Sequence, residues 1–135
     1  VEFLGQANDT AGVVVTNNQF ASPDGTPGVR IGHAIFMQSG TSDADGSQLC
    51  ADIQGNTILP NPGFWDAITS GNIRLRINPA EAGAPLSNFR LRNVGGTGST
   101  TDAINYLNGA NTNGLASATS NGIVPNFTTG TAACF

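Results

Sequence analysis

Lysine is absent from the 135-residue chain, and histidine, methionine, tryptophan and tyrosine occur once each. Charged side chains make up 10% of it, five arginines against nine acids, for a formal net charge of −4; a typical globular protein carries about 25%. With no basic footprint to neutralise phosphates, nucleic acid is excluded as a partner. No apolar run approaches the roughly 18 residues of a membrane helix, the longest (Gly12–Val15 and Ala34–Met37) being strand-sized. Membrane insertion is not expected. A charged leader followed by an apolar stretch is also missing and Val1 stands first, which reads as a mature processed form or an excised domain.

What is abundant is turn and strand material. Gly, Asn and Thr number 18, 15 and 14, all poor helix formers. The length suits one domain, so the expectation is a single all-β domain over residues 1–135.

The two cysteines, Cys50 and Cys134, stand 84 positions apart, too far for a CxxC redox motif and too few for zinc. They are expected to form a disulfide, which would tie the end of the chain to its body and imply an oxidising extracellular or periplasmic compartment. The alternative is two unpaired small hydrophobes.

An internal repeat organises the first two thirds of the chain. Gly12–Phe20 aligns with Gly28–Phe36 at an offset of 16, and a third copy lies at an offset of 38, where Ala51, Ile53 and Ile58 replace Val13, Val15 and Phe20 and Asn56 falls under Asn18. Ile73–Ile77 and Phe89–Arg92 repeat the alternation, again 16 apart. Turn clusters separate these units at Ser22–Gly25, Ser42–Gly46, Pro60–Gly63 and Pro79–Glu81. Parallel strands joined by short turns instead of helices must coil, one turn per repeat. The pattern therefore predicts a short parallel β-helix, or β-solenoid, of about five coils over residues 1–94. Val13, Val15, Val29, Ile31, Ile53, Ile73, Leu75, Phe89 and Leu91 would point inward and all five arginines outward. Residues 95–135 follow as one short helix, with Thr100 or Thr101 as N-cap, Asp102 near its positive end and Gly109 as C-cap, and an irregular tail anchored by Leu115, Ile123, Val124 and Phe127.

The unit Gly-Val-x-Val-x-Asn-Asn-x-Phe, the order Leu49–Asn56 then Asn72–Arg76, the helix and the closing Thr129–Cys134 together resemble the C-terminal right-handed parallel β-helix module of secreted bacterial repeat and adhesin-like surface proteins. That resemblance implies export, a cell-surface location and a structural or adhesive role. It brings no catalytic residues.

Enzyme chemistry finds little support. His33 takes the place of Asn17 in the offset-16 alignment, a turn position, and reads as a solvent-facing structural residue. Asp43, Asp45 and Asp52 are candidate carboxylates for a carbohydrate-processing reading. Ser42–Gly46 looks like part of a calcium loop, but its closing acid would fall at Gln54, so an Asp-Gly turn is the simpler account and no metal or cofactor is called for. Arg74, Arg76, Arg90 and Arg92 would stack on one outer face at an offset of 16, fit for an anionic polysaccharide or an acidic subunit, or else form a solvated face paired with Glu81 or Asp102. Trp65 can stack on a sugar or plug a solenoid end. Asn8 and Asn126 head formal glycosylation sequons.

The expected function is thus a non-enzymatic structural or adhesive subunit, with a carbohydrate-binding or carbohydrate-processing β-helix as the alternative. Self-assembly is expected at Val1, Glu2, Phe3 and Leu4, whose strand edge has no evident cap. Residues 1–70 carry −6 and residues 71–135 carry +2, so opposite ends would join head to tail into a filament. The competing account is excision from a longer solenoid.

Overall fold

The computed structural model describes residues 1–5, 10–20, 33–40, 47–59, 72–77, 88–120, 127 and 134. In chain order these hold strands β1 (Glu2–Gly5), β2 (Thr10–Thr16), β3 (Gln19–Phe20), β4 (Ile35–Ser39), β5 (Gln48–Gln54), β6 (Thr57–Ile58), β7 (Ile73–Ile77) and β8 (Asn88–Leu91), then helix α1 (Thr100–Ala110) and β9 (Ala116–Ser120). The fold is mostly β with one short helix, in keeping with the all-β expectation. The named strands pair in parallel in three sheets, ordered β1-β4-β7-β9, β2-β5-β8 and β3-β6.

Alternation drives the pairing. Along β5, Leu49, Ala51 and Ile53 enter the core cluster while Gln48, Cys50 and Asp52 lie at the alternate positions. Val15 stands beside Ile53, and Ala51 beside Leu91. Ile35, Met37, Ile73, Leu75 and Ile77 do the same from the four-stranded sheet, and all are essentially buried. Each such side chain contributes about 1.5–3 kcal/mol on burial.

The register corrects the period read from the sequence. Paired residues are Glu2 and Phe36, Val15 and Ile53, Ile35 and Ile73, Gln48 and Asn88, and Ile73 and Ala116. The repeat is therefore near 38 positions, with each repeat supplying three strands instead of one. The offset of 16 compared strands of different sheets: Ile35 and Phe36 lie in β4, whereas Val15 lies in β2. Five like strands in one register do not occur among the described residues; the strands form the successive groups β1–β3, β4–β6, and β7 and β8 with Thr112, which bridges to Thr57. Val29 and Ile31, the four turn clusters, Ile123 and Val124 lie outside the described residues.

Asparagines fix the bend between the second and third strand of each group. Asn17 (φ 57°) and Gly55 (φ 67°) occupy the left-handed region at equivalent places. The left-handed backbone favours glycine at Gly55, where a Cβ would also press on the Asn17 side chain. Next comes a ladder: the Asn18 backbone N–H and Nδ2 donate to Asn56 Oδ1 at 3.0 and 3.2 Å, and the Asn56 N–H and Nδ2 donate to Asn111 Oδ1 at 3.1 and 2.9 Å. Asn56 Nδ2 also reaches the Val15 carbonyl at 2.8 Å. At the opposite corner, the Ser39 hydroxyl donates to the Asn88 carbonyl at 2.7 Å and that of Ser47 to the Gly5 carbonyl at 3.3 Å.

Helix α1 replaces the strand that would otherwise extend beside the last part of β5. Its N-cap is Ser99, not Thr100 or Thr101, because Ser99 and Asp102 close a reciprocal capping box. Its C-cap is Asn111, not Gly109, since Asn111 Nδ2 donates to the Leu107 carbonyl at 2.9 Å while its Oδ1 joins the ladder. Ala103 and Leu107 are fully buried, and α1 packs on β9 and β5. Phe127 sets its ring edge-on to Phe89, centroids 5.3 Å apart. Leu115, an expected anchor, is exposed.

Candidate binding site on the outer sheet faces

Because side chains alternate across a strand, every outward position stacks with its register partners into a column. On the β2-β5-β8 sheet the columns are Thr10, Gln48 and Asn88; Gly12, Cys50 and Arg90; and Val14 with Asp52. Arg92, one step past β8, forms an ion pair with Asp52. On the β1-β4-β7-β9 sheet one column is Glu2, Phe36, Arg74 and Ser117, and Gln38 stands between Leu4 and Arg76 in the next.

The four arginines are consequently not one stacked patch. Arg74 and Arg76 belong to the four-stranded sheet, and Arg90 lies beside Cys50 on the other. The Arg74 guanidinium sits over the Phe36 ring, 5.8 Å from its centroid, and His33 stands 5.7 Å from the same ring on a half-buried site. Asp52 is buried against Arg92 instead of lining an open acid cluster. Asp43, Asp45, Trp65, Glu81, Asn8 and Asn126 lie outside the described residues.

Tyr106 of α1 belongs to the Asp52 and Arg92 neighbourhood. Burial pushes its phenol above the ordinary value and the Asp52 charge adds to this, while Asn93 and Arg92 oppose it. The Asp102 carboxyl is held below the usual carboxylate range, chiefly by the Ser99 hydroxyl and backbone N–H and further by Thr97, against a smaller opposing effect of desolvation.

The cysteines are joined as expected, Cys50 to Cys134, with Cα atoms 5.3 Å apart. Beside the bridge lies a concavity of about 220 Å³ on the β2-β5-β8 sheet, lined by Thr10, Gln48, Asn88 and Arg90 with the disulfide as its wall. The sequence reading missed this site because a 16-residue period never aligns Thr10 with Gln48 and Asn88; the 38-residue offset of Asn18 and Asn56 was the signal that could have found it.

Val1 and Leu4 of the expected assembly edge are exposed, and β1, β2 and β3 are each the first strand of their sheet. Among the described residues no group of three His, Cys, Asp or Glu side chains is placed to hold a metal ion, and no helix is long and apolar enough to cross a membrane.

No family model, curated protein or solved structure matches the chain, so the likeness to bacterial β-helix modules rests on its residue pattern alone.

Proposed function

We propose that the chain is a short right-handed parallel β-helix of the secreted surface type, a non-enzymatic extracellular element with a structural or adhesive role, which associates with a second copy through its β1–β3 edge. The observation that carries this reading is the asymmetry of the two ends of the stack. At one end, among the described residues, β1, β2 and β3 are the edge strands, Val1, Leu4 and Val14 are 55%, 42% and 66% exposed, and Asn18 Oδ1, the ladder's last acceptor, receives no hydrogen bond among the described residues. At the other, α1, Phe127 and the disulfide-bound Cys134 cover the core. Edge strands with unpaired N–H and C=O groups are templates for addition of another strand. A β1–β3 edge that meets its own like stops at a pair, whereas head-to-tail joining sets it against the β6, β8 and β9 side.

The disulfide supports an oxidising compartment. Light scattering across protein concentration tests the assembly. A dimer is the expected result, filaments would restore the head-to-tail form, and a monomer at every concentration would contradict assembly through this edge.

A further inference from the structure

We infer that the second copy joins strand to strand through β2, antiparallel about a two-fold axis at Val13, so that the two β2-β5-β8 sheets become one. This deepens the assembly half of the proposed function and rests on it. The make-up of β2 carries the inference. Edge strands that stay single are blunted by charge, proline, a bulge or shortness. Thr10–Thr16 reads Thr-Ala-Gly-Val-Val-Val-Thr, seven residues without a charge or a proline, and all seven pair with β5 in unbroken register, so it holds no bulge. Val14 is 66% exposed on its outer face, and Ala11 and Val13 face inward yet are only half-buried. The other first strands suit such a joint less: β3 has two residues, and self-pairing of β1 would bring Glu2 near the partner's Glu2.

Backbone direction fixes the register. The Asn17 N–H donates to the Gln54 carbonyl at 3.2 Å, so the odd-numbered residues of this segment bond to β5, while Thr10, Gly12, Val14 and Thr16 direct their N–H and C=O groups to the edge. Two copies of one edge strand keep their inward faces on the same side of a continuous sheet only when the two-fold axis is perpendicular to it, which makes the strands antiparallel. With that axis at Val13, Thr10 lies opposite the partner's Thr16 and Gly12 opposite the partner's Val14. All are edge-directed residues, and each such pair exchanges two hydrogen bonds. On the inward face Ala11 meets the partner's Val15, and Val13 meets its own copy. On the outer face Gly12 leaves room beside Val14, and the two Val14 side chains become diagonal neighbours about 7–8 Å apart. No charge of either strand meets its like.

The test is electron paramagnetic resonance on the full, oxidised chain, spin-labelled through Thr10→Cys or Val14→Cys, at a concentration where light scattering shows association. Two-fold pairing sets the two Val14 positions about 7–8 Å apart and the two Thr10 positions, six residues along the strand from direct opposition, about 20 Å apart. Head-to-tail joining would instead repeat after three strands and give about 14 Å at both positions. The expected result is therefore a short distance at Val14 and a clearly longer one at Thr10. Val14→Lys should weaken the dimer about tenfold or more, while Leu115→Lys, at an exposed position outside β2, should leave it unchanged. Equal distances at the two positions, a pair in which neither distance is short, or unchanged dimerisation in a Val14→Lys protein with the native far-ultraviolet spectrum would each overturn pairing through β2 while association itself stands. A monomer at every concentration overturns both readings. Should the label at Val14 prevent pairing or Val14→Lys fail to fold, the Thr10 distance decides: about 20 Å supports the two-fold joint and any other value overturns it.

Discussion

The strands β1–β3 and the strands β4–β6 obey the same inward alternation, yet apart from Val15 the inward side chains of the first group are less enclosed. Phe3, Ala11, Val13 and Phe20 are half-buried, while their register partners Met37, Leu49, Ala51 and Ile58 are buried at 0–3% exposure. The residues are similar in kind, and Phe3 and Phe20 are the larger of their pairs. What differs is a neighbouring layer on both sides, so burial here is set by position in the stack more than by hydrophobicity. At the far end the next layer is supplied by other means: Ala103 and Leu107 from α1, Phe127 on Phe89, and Cys134 bonded to β5.

The disulfide should give the largest effect in breaking this contrast. Replacing Cys50 and Cys134 by serine opens a loop of 84 positions, worth about 4–5 kcal/mol in the chain-entropy model. The loss should appear as a lower denaturant midpoint and as exposure of the Phe89 side of the core.

The asparagine ladder sharpens the comparison at equivalent positions. Asn56→Ala removes the side-chain bonds to Asn18, Asn111 and the Val15 carbonyl in a fully buried place, and should cost about 3 kcal/mol because Asn111 and the Val15 carbonyl are left behind buried. Asn18→Ala, at the open end where water can replace the lost bonds, should cost about 1 kcal/mol. Chemical denaturation of the two variants measures the difference, and equal losses would mean that the two layers are equally enclosed.

The smallest effect belongs to the helix that closes the covered end. The Asp102 carboxyl titrates below its ordinary value when folded, so its contribution is present above the unfolded pKa of about 3.9 and is lost as pH falls through the folded value. Helical circular dichroism should therefore decline on acidification below about pH 4. The Asp102→Asn variant should lack that part of the decline.

Strand character and the inward set were legible because alternation of Val, Ile, Leu and Phe leaves a period of two wherever one face is buried. The long period was only partly legible: Asn56 falls under Asn18, but Gly12–Phe20 also resembles Gly28–Phe36, since strands of different sheets obey the same alternation. That false period produced the stacked arginines. β9 was missed because Ala116–Ser120 consists of Ala, Ser and Thr, which leave no apolar alternation even though Ala118 is buried. The third ladder member, Asn111, was hidden because it follows a helix where Asn18 and Asn56 follow strands. For the candidate site, the disulfide was readable from its two lone cysteines, whereas the row of Thr10, Gln48 and Asn88 exists only once the register is known.

The asymmetry of the stack is tested most directly by residue-resolved amide hydrogen exchange at low and high protein concentration. Alternate residues of an edge strand direct their N–H groups away from its neighbour. In dilute solution, therefore, β2 should show alternating fast and slow amides while Gln48–Ala51 of β5, paired on both sides, is protected throughout, and raising the concentration should slow the fast set as β1–β3 edges meet. Amides of β2 as slow as those of β5 at every concentration, or fast amides that concentration does not slow, would contradict an open edge that takes a second copy.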